Sequence, residues 1–348
     1  MELKKHSLRK ALVHAVVFSL VMLAFHSFIM VQIFSSSQLA KYPYTARQYL
    51  AGDLDRERLL DFSPLYFYVN VFAAKMLPRP ESFLHGINAV SVALSAALLF
   101  LMLSSMYSIA WVGAFAFAFE LSVLVYEKIF EPEPLLLLFI VAFVFLVHRK
   151  NRSAHLLAGI CFALGMLTRP NVLPVCIVVL VYFMLQNETR RRRFFSMAFF
   201  IVPVLIAFGF LLIRNHSVTD RWSPMVMNPG TVFYEGNNPN SLGLSSIYPP
   251  VLNDMKRADR KDPDPAHLLY RRFARLETGR DLTPAQVNQF WSGKALAYIR
   301  DYPGRFSKLV LRKLCHIAHS YHWHDLSNAY DHARELREAH IPLTPWNM

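Results

Sequence analysis

Phe62-Ser63-Pro64-Leu65-Tyr66-Phe67-Tyr68-Val69-Asn70-Val71-Phe72-Ala73-Ala74-Lys75-Met76-Leu77 is the stretch on which the fold turns. It is apolar enough to invite reading as a membrane crossing. Its apolar part, Leu65 to Ala74, would rise only about 15 Å as a helix, against a hydrocarbon core of about 30 Å. Pro64, Asn70 and Lys75 break or flank it. The segment 62–77 therefore reads as a helix lying in the membrane interface.

Outward from this stretch, apolar blocks recur at 11–34, 84–104, 109–127, 134–148, 154–169, 171–186 and 195–213. A helix crossing a bilayer needs roughly 20 residues, so these predict an all-α polytopic bundle of about seven helices. Hydrophobic residues make up 54% of the chain, where an ordinary soluble domain has about 45–50%. From residue 214 onward no such block recurs. The chain thus divides into a transmembrane module, 1–213, carrying a first loop at 35–83, and a polar, mainly helical region, 214–348. Thr283-Pro284 signals a helix start, with helical sequence through 320. The block 11–34 is too long for a cleaved signal core and lacks a small-x-small site, so it reads as an anchor.

A net charge of +13 could suggest nucleic acid, but its placement decides otherwise. Lys4, Lys5, Arg9 and Lys10 precede the first helix; His148, Arg149, Lys150 and Arg152 sit between two later ones; Arg190, Arg191, Arg192 and Arg193 sit between the next pair. Short basic loops orient helices with their cations on the cytoplasmic side. With the N-terminus inside and 62–77 not crossing, all three basic clusters fall on that side. Residues 35–83, 128–133, 169–171 and 214 onward then fall outside. A crossing at 62–77 would throw the arginine run outside. Three cysteines, Cys161, Cys176 and Cys315, make no disulfide scaffold.

Unusual polar groups collect on the predicted external face. Asp53, Asp55, Glu57 and Asp61 lie in the first loop; Glu127, Glu131 and Glu133 lie in the second; Arg169 sits in Leu167-Thr168-Arg169-Pro170-Asn171. A charge embedded among apolar helices is costly and usually faces a cavity or a partner. Arg169 is either a snorkelling interfacial arginine or a forked cation for an anionic headgroup phosphate. Glu131 and Glu133 adjoin two prolines at a helix mouth, as solvated surface or as working carboxylates. His316 and His319 have metal-ligand spacing, but with Tyr321 and Trp323 following the segment reads rather as amphipathic and interfacial. No Walker loop, dinucleotide glycine fingerprint or HExxH occurs. A donor that is itself a lipid would account for that.

The order of these features resembles the GT-C class of integral-membrane glycosyltransferases. It is most similar to the family 39-like group of protein mannosyltransferases, aminoarabinose transferases and RgtA/B/C/D-like enzymes. The pieces that carry the resemblance run from about residue 8 to 310. They are the first helix and its long loop; Tyr42-x-x-x-Ala46 and Leu50-x-Gly52; Ser63-Pro64-Leu65-Tyr66; Glu133-Pro134-Leu135; and Gly159-x-x-x-Ala163-Leu164-Gly165-x-Leu167-Thr168-Arg169-Pro170. Beyond the last helix come Arg214-Asn215 and Tyr234-Glu235-Gly236-Asn237-Asn238-Pro239, ending in Gly243.

The resemblance implies transfer of a sugar from a polyprenyl-phosphate donor to a lipid, glycan or protein acceptor at the external face of a bacterial inner membrane. A carboxylate, Asp61, Glu131 or Glu133, would serve as general base. Arg169, with Tyr66 and sometimes a divalent metal ion, would receive the departing lipid phosphate. Gly236, Asn237 and Asn238 would form a substrate loop. Two departures stand out. Gln38 occupies the place where the family commonly carries Asp, and glutamine is no base. Several helices expected after about 300 do not follow before Met348. These leave a second expectation open: an inactive or truncated membrane subunit that binds lipid-linked sugar or a partner protein.

Overall fold

The computed structural model describes residues 11–24, 41–54, 59–60, 62–104, 110–120, 123, 126–127, 130–219, 222, 229–243 and 266–318. The described residues are helical, with no strand among them. The chain separates into two compact units, Met1–Val226 and Met227–Met348.

The first unit contains α1 (Ala11–Ala24), α2 (Lys41–Ala51), α3 (Pro64–Met76), α4 (Pro80–Ser104), α5 (Ala110–Ala118), α6 (Glu133–Val147), α7 (Arg152–Thr168), α8 (Val175–Leu185) and α9 (Arg190–Thr219). The apolar blocks are thus helices α1 and α4 to α9, and α4 and α9 are each long and apolar enough to cross a bilayer. Together they make an all-α membrane bundle. The deciding stretch is indeed a short helix: Pro64 opens α3, and the backbone leaves helical geometry at Leu77. Three helices differ from expectation. The first helix of the block 109–127 ends at Ala118, and beyond it the Glu120 carboxylate accepts from the Val123 N–H. The block 171–186 is broken by Pro170 and Pro174 into a 3₁₀ turn, Pro170–Val172, followed by α8. The last block extends both ways, taking in the arginine run and reaching Thr219.

The two largest apolar cores among the described residues tie the bundle together. Phe143, Phe162, Phe183 and Phe200 interlock α6, α7, α8 and α9, while Phe18, Ala96, Phe100 and Ala114 join α1, α4 and α5. Gly159 lets α7 and α9 touch backbone to backbone: a Cβ there would lie 2.3 Å from the Phe200 carbonyl oxygen. Small residues at such crossings are how helices pack in lipid, where no hydrophobic force drives them together.

The second unit contains α10 (Pro229–Gly236), α11 (Ala266–Thr278), α12 (Pro284–Asp301) and α13 (Pro303–Ala318). At the expected start of α12, Thr283 and Gln286 form a capping box, and Pro303 divides the predicted long helix in two. Trp291 is the centre of the core, ringed by Tyr234, Tyr270, Phe273 and Phe290. His316 lies in α13, whereas His319, His322 and His324 lie outside the described residues.

Candidate active site

The site begins with a proline. A residue preceding proline is pushed out of helical geometry, and Arg169, before Pro170, is extended at φ −146°, ψ 102°. α7 therefore ends at Thr168, and the guanidinium turns toward the start of α6. There Pro132 and Pro134 fix the first turn around Glu133. Arg169 Nη2 is ion-paired with Glu133 Oε1 and lies 3.9 Å from Glu131 Oε2. Burial alone would lower the affinity of Arg169 for its proton. Glu133, with Tyr42 and Glu131, outweighs it and leaves the pKa raised. The side chain remains 38% exposed, and Nε and Nη1 hydrogen-bond no described residue.

Behind this trio stands an aromatic wall. Tyr42 of α2 donates its hydroxyl to Ser63 Oγ at 3.2 Å and accepts the Ser63 N–H at 3.4 Å. Its ring meets Phe62 and Tyr66 edge-on, at 5.1 and 5.0 Å. Tyr66 is fully buried beside Asn88 of α4, and Asn88 in turn donates to the Glu127 carbonyl at 3.1 Å. Burial raises the pKa of both phenols, with Ser63 partly opposing this for Tyr42 and Asn88 for Tyr66. Both remain neutral donors at physiological pH. Arg214, near the end of α9, donates Nη2 to the Leu59 carbonyl at 2.6 Å, tying that helix to the first loop at the same end of the bundle.

An apolar pocket of about 240 Å³ opens beside the trio. Glu133, Leu136, Leu137 and Ile140 line it from one face of α6, and Val92 faces them from α4. The carboxylate that pairs with Arg169 thus lines a space suited to hydrocarbon.

Of the sequence-predicted residues, Glu131, Glu133, Arg169 and Tyr66 come together. Asp61 lies outside the described residues. Gly236, Asn237 and Asn238 belong to the second unit, at the end of α10. Asn238 is spent on that helix end: its Nδ2 donates to the Tyr234 and Glu235 carbonyls, and its Oδ1 accepts from Asn240. Lys313 Nζ donates to the Gly236 carbonyl at 2.7 Å and to Asn237 Oδ1 at 3.2 Å. The wall residues Tyr42 and Ser63 were visible only as motif letters, because their pairing across 21 positions is tertiary. For a divalent metal the fit is poor: Glu131 and Glu133 face a guanidinium, and no cluster of three or more His, Cys, Asp or Glu side chains forms among the described residues.

Residues 61–219 match the family model of dolichyl-phosphate-mannose-protein mannosyltransferases. No curated protein and no solved structure matches the chain. The helical bundle and the family match together support a membrane glycosyltransferase of the GT-C type. The matched segment begins at Asp61 and contains Tyr66, Glu131, Glu133, Arg169 and Arg214, so the whole trio falls inside it.

Proposed function

We propose that this protein moves a sugar from a polyprenyl-phosphate donor to an acceptor at the external membrane face, with inversion at the anomeric carbon. The observation that carries this reading is the Arg169–Glu133 pair, whose carboxylate lines an apolar pocket. An isoprenoid tail lies along Val92, Leu136, Leu137 and Ile140, and its phosphate meets the unused Nε and Nη1 donors of Arg169. Asp61 or Glu131 takes the proton of the acceptor hydroxyl or amine as the acceptor attacks C1. The C1–O bond to phosphate breaks, its electron pair leaves with the lipid phosphate, and Arg169 stabilises the charge that accumulates there. Glu133 holds the guanidinium in place. Tyr66 acts from beneath, as the support of Tyr42.

The test is transfer of radiolabelled sugar from polyprenyl-phosphate donors by the purified full chain in liposomes. Arg169→Ala and Asp61→Asn abolish transfer while expression and membrane insertion persist. Wild-type turnover retained by both variants removes the site assignment. Gln38 favours a second reading, a non-catalytic subunit. Donor binding without turnover on any acceptor would establish it.

A further inference from the structure

The other end of the same helices carries a second constellation. The turn between α6 and α7 supplies Arg149 and Lys150, and the turn between α8 and α9 supplies Glu188, Arg192 and Arg193. Together with His155 they line one small pocket of about 20 Å³. Four cations thus surround a single carboxylate in the lining. That carboxylate is engaged, since Arg192 Nη1 donates to Glu188 at 3.0 Å. Arg192 Nη2 and Arg193 Nη1 satisfy the carbonyls of Lys150 and Met184, at 2.7 and 2.6 Å, which fixes both guanidinium groups at the rim. The first turns of α7 and α9 converge on the pocket, adding the partial positive charge of two helix N-termini.

Two buried polar atoms in this lining, His155 Nδ1 and Arg193 Nε, have no hydrogen-bond partner among the described residues, although the His155 ring also interacts with the Arg149 backbone; His155 is only 7% exposed. A buried polar group without a partner calls for a ligand or an ion. The surroundings indicate which kind. Leu185 and Phe194, flanking the pocket along the chain, are 80% and 66% exposed, so an apolar surface begins where the cations end. A free anion would have no use for that border.

We infer that this pocket binds the phosphate of an anionic phospholipid headgroup, on the leaflet opposite the Arg169 site. Arg149, Lys150 and Arg193 hold the phosphate oxygens, His155 closes the floor, and the acyl chains run along Leu185 and Phe194. The cationic loops thus act as a binding site in addition to orienting the helices.

Native mass spectrometry of the full chain, released from detergent with phosphatidylglycerol or phosphatidylcholine, tests this. Wild type retains phosphatidylglycerol in preference to phosphatidylcholine. The double variant Arg149→Gln/Arg193→Gln loses about fivefold affinity per removed charge, whereas Arg47→Gln, in α2, changes nothing. Should the double variant fail to fold, the exposed Lys150→Gln shows the single-charge loss. Excess inorganic phosphate, added to wild type, weakens lipid retention only at high concentration. Equal retention of the two lipids, or pocket variants that bind as wild type does, overturns the inference. Tight phosphate binding without lipid preference overturns it too, and assigns the pocket to a free anion.

Discussion

Arg169 could be singled out from sequence because a guanidinium amid apolar helices is expensive wherever it points. Its partners were legible only as a class: several acidic residues were candidates, and the pairing with Glu133 depends on how α6 and α7 pack. The proposed role depends on the fork. Lysine would keep the charge but lose the planar array that grips carboxylate and phosphate together. Arg169→Lys is therefore expected to reduce kcat by about 10²–10³, the loss typical of removing one preorganised oxyanion donor, with a smaller change in KM; steady-state kinetics in liposomes decide. A loss confined to KM would mean that Arg169 serves binding alone. In the second unit, Glu235 accepts the Tyr270 hydroxyl at 2.5 Å, yet burial raises its pKa, against the opposing effect of that hydrogen bond. A carboxyl whose pKa is raised by folding binds its proton more tightly in the folded state. Its contribution is therefore full below the ordinary carboxylate value of 4.5 and is lost as pH rises through the folded value. Glu235→Gln should raise Tm at pH 8 and flatten its fall between pH 4 and neutrality. Parallel melting curves for both proteins would refute this.

At the scale of elements, hydropathy located the helices but misjudged where they end. Apolar runs report burial in lipid or protein, whereas helix ends are set by backbone chemistry. Pro170 and Pro174 remove amide donors, and Glu120 offers a carboxylate to the Val123 N–H. Those residues are visible in the sequence, yet whether they win depends on neighbours. The opposite case is α9, which continues through its four arginines because the end of α8 and the 148–152 turn satisfy two of them. The α7–α9 contact gives a sharp test. Replacing a helical glycine by alanine ordinarily favours the helix by about 0.5–1 kcal/mol. At Gly159 the new methyl would collide with backbone 2.3 Å away, and forcing packed elements apart costs about 1–3 kcal/mol. The collision wins, so Gly159→Ala should lower the melting temperature in detergent. Gly86→Ala, with nothing within 4 Å, should leave it unchanged or raise it. Equal behaviour of the two variants would show that α7 and α9 do not approach as described.

For the molecule as a whole, the order of apolar helices was readable because each must face lipid or another helix. Orientation was argued from loop charge alone. The geometry adds an independent constraint. α6 and α7 are antiparallel neighbours whose Glu133–Arg169 pair closes one end, while Arg149 and Lys150 occupy the turn at the other. Seventeen residues of α7 separate these ends by roughly 25 Å, close to the hydrocarbon thickness. If the bundle spans a bilayer, Asn171 and Lys150 must stand on opposite leaflets; the basic loops then select which is inside. In a background without Cys161, Cys176 and Cys315, a membrane-impermeant maleimide should label Asn171→Cys in intact cells. Lys150→Cys should react only after permeabilisation. A reversed pattern would keep the spanning bundle but move the proposed transfer site to the cytoplasmic face, where a lipid-linked donor loses its rationale. Labelling of both from one side would mean that α7 does not cross at all, and the acidic residues and arginine gathered at its end would need another explanation.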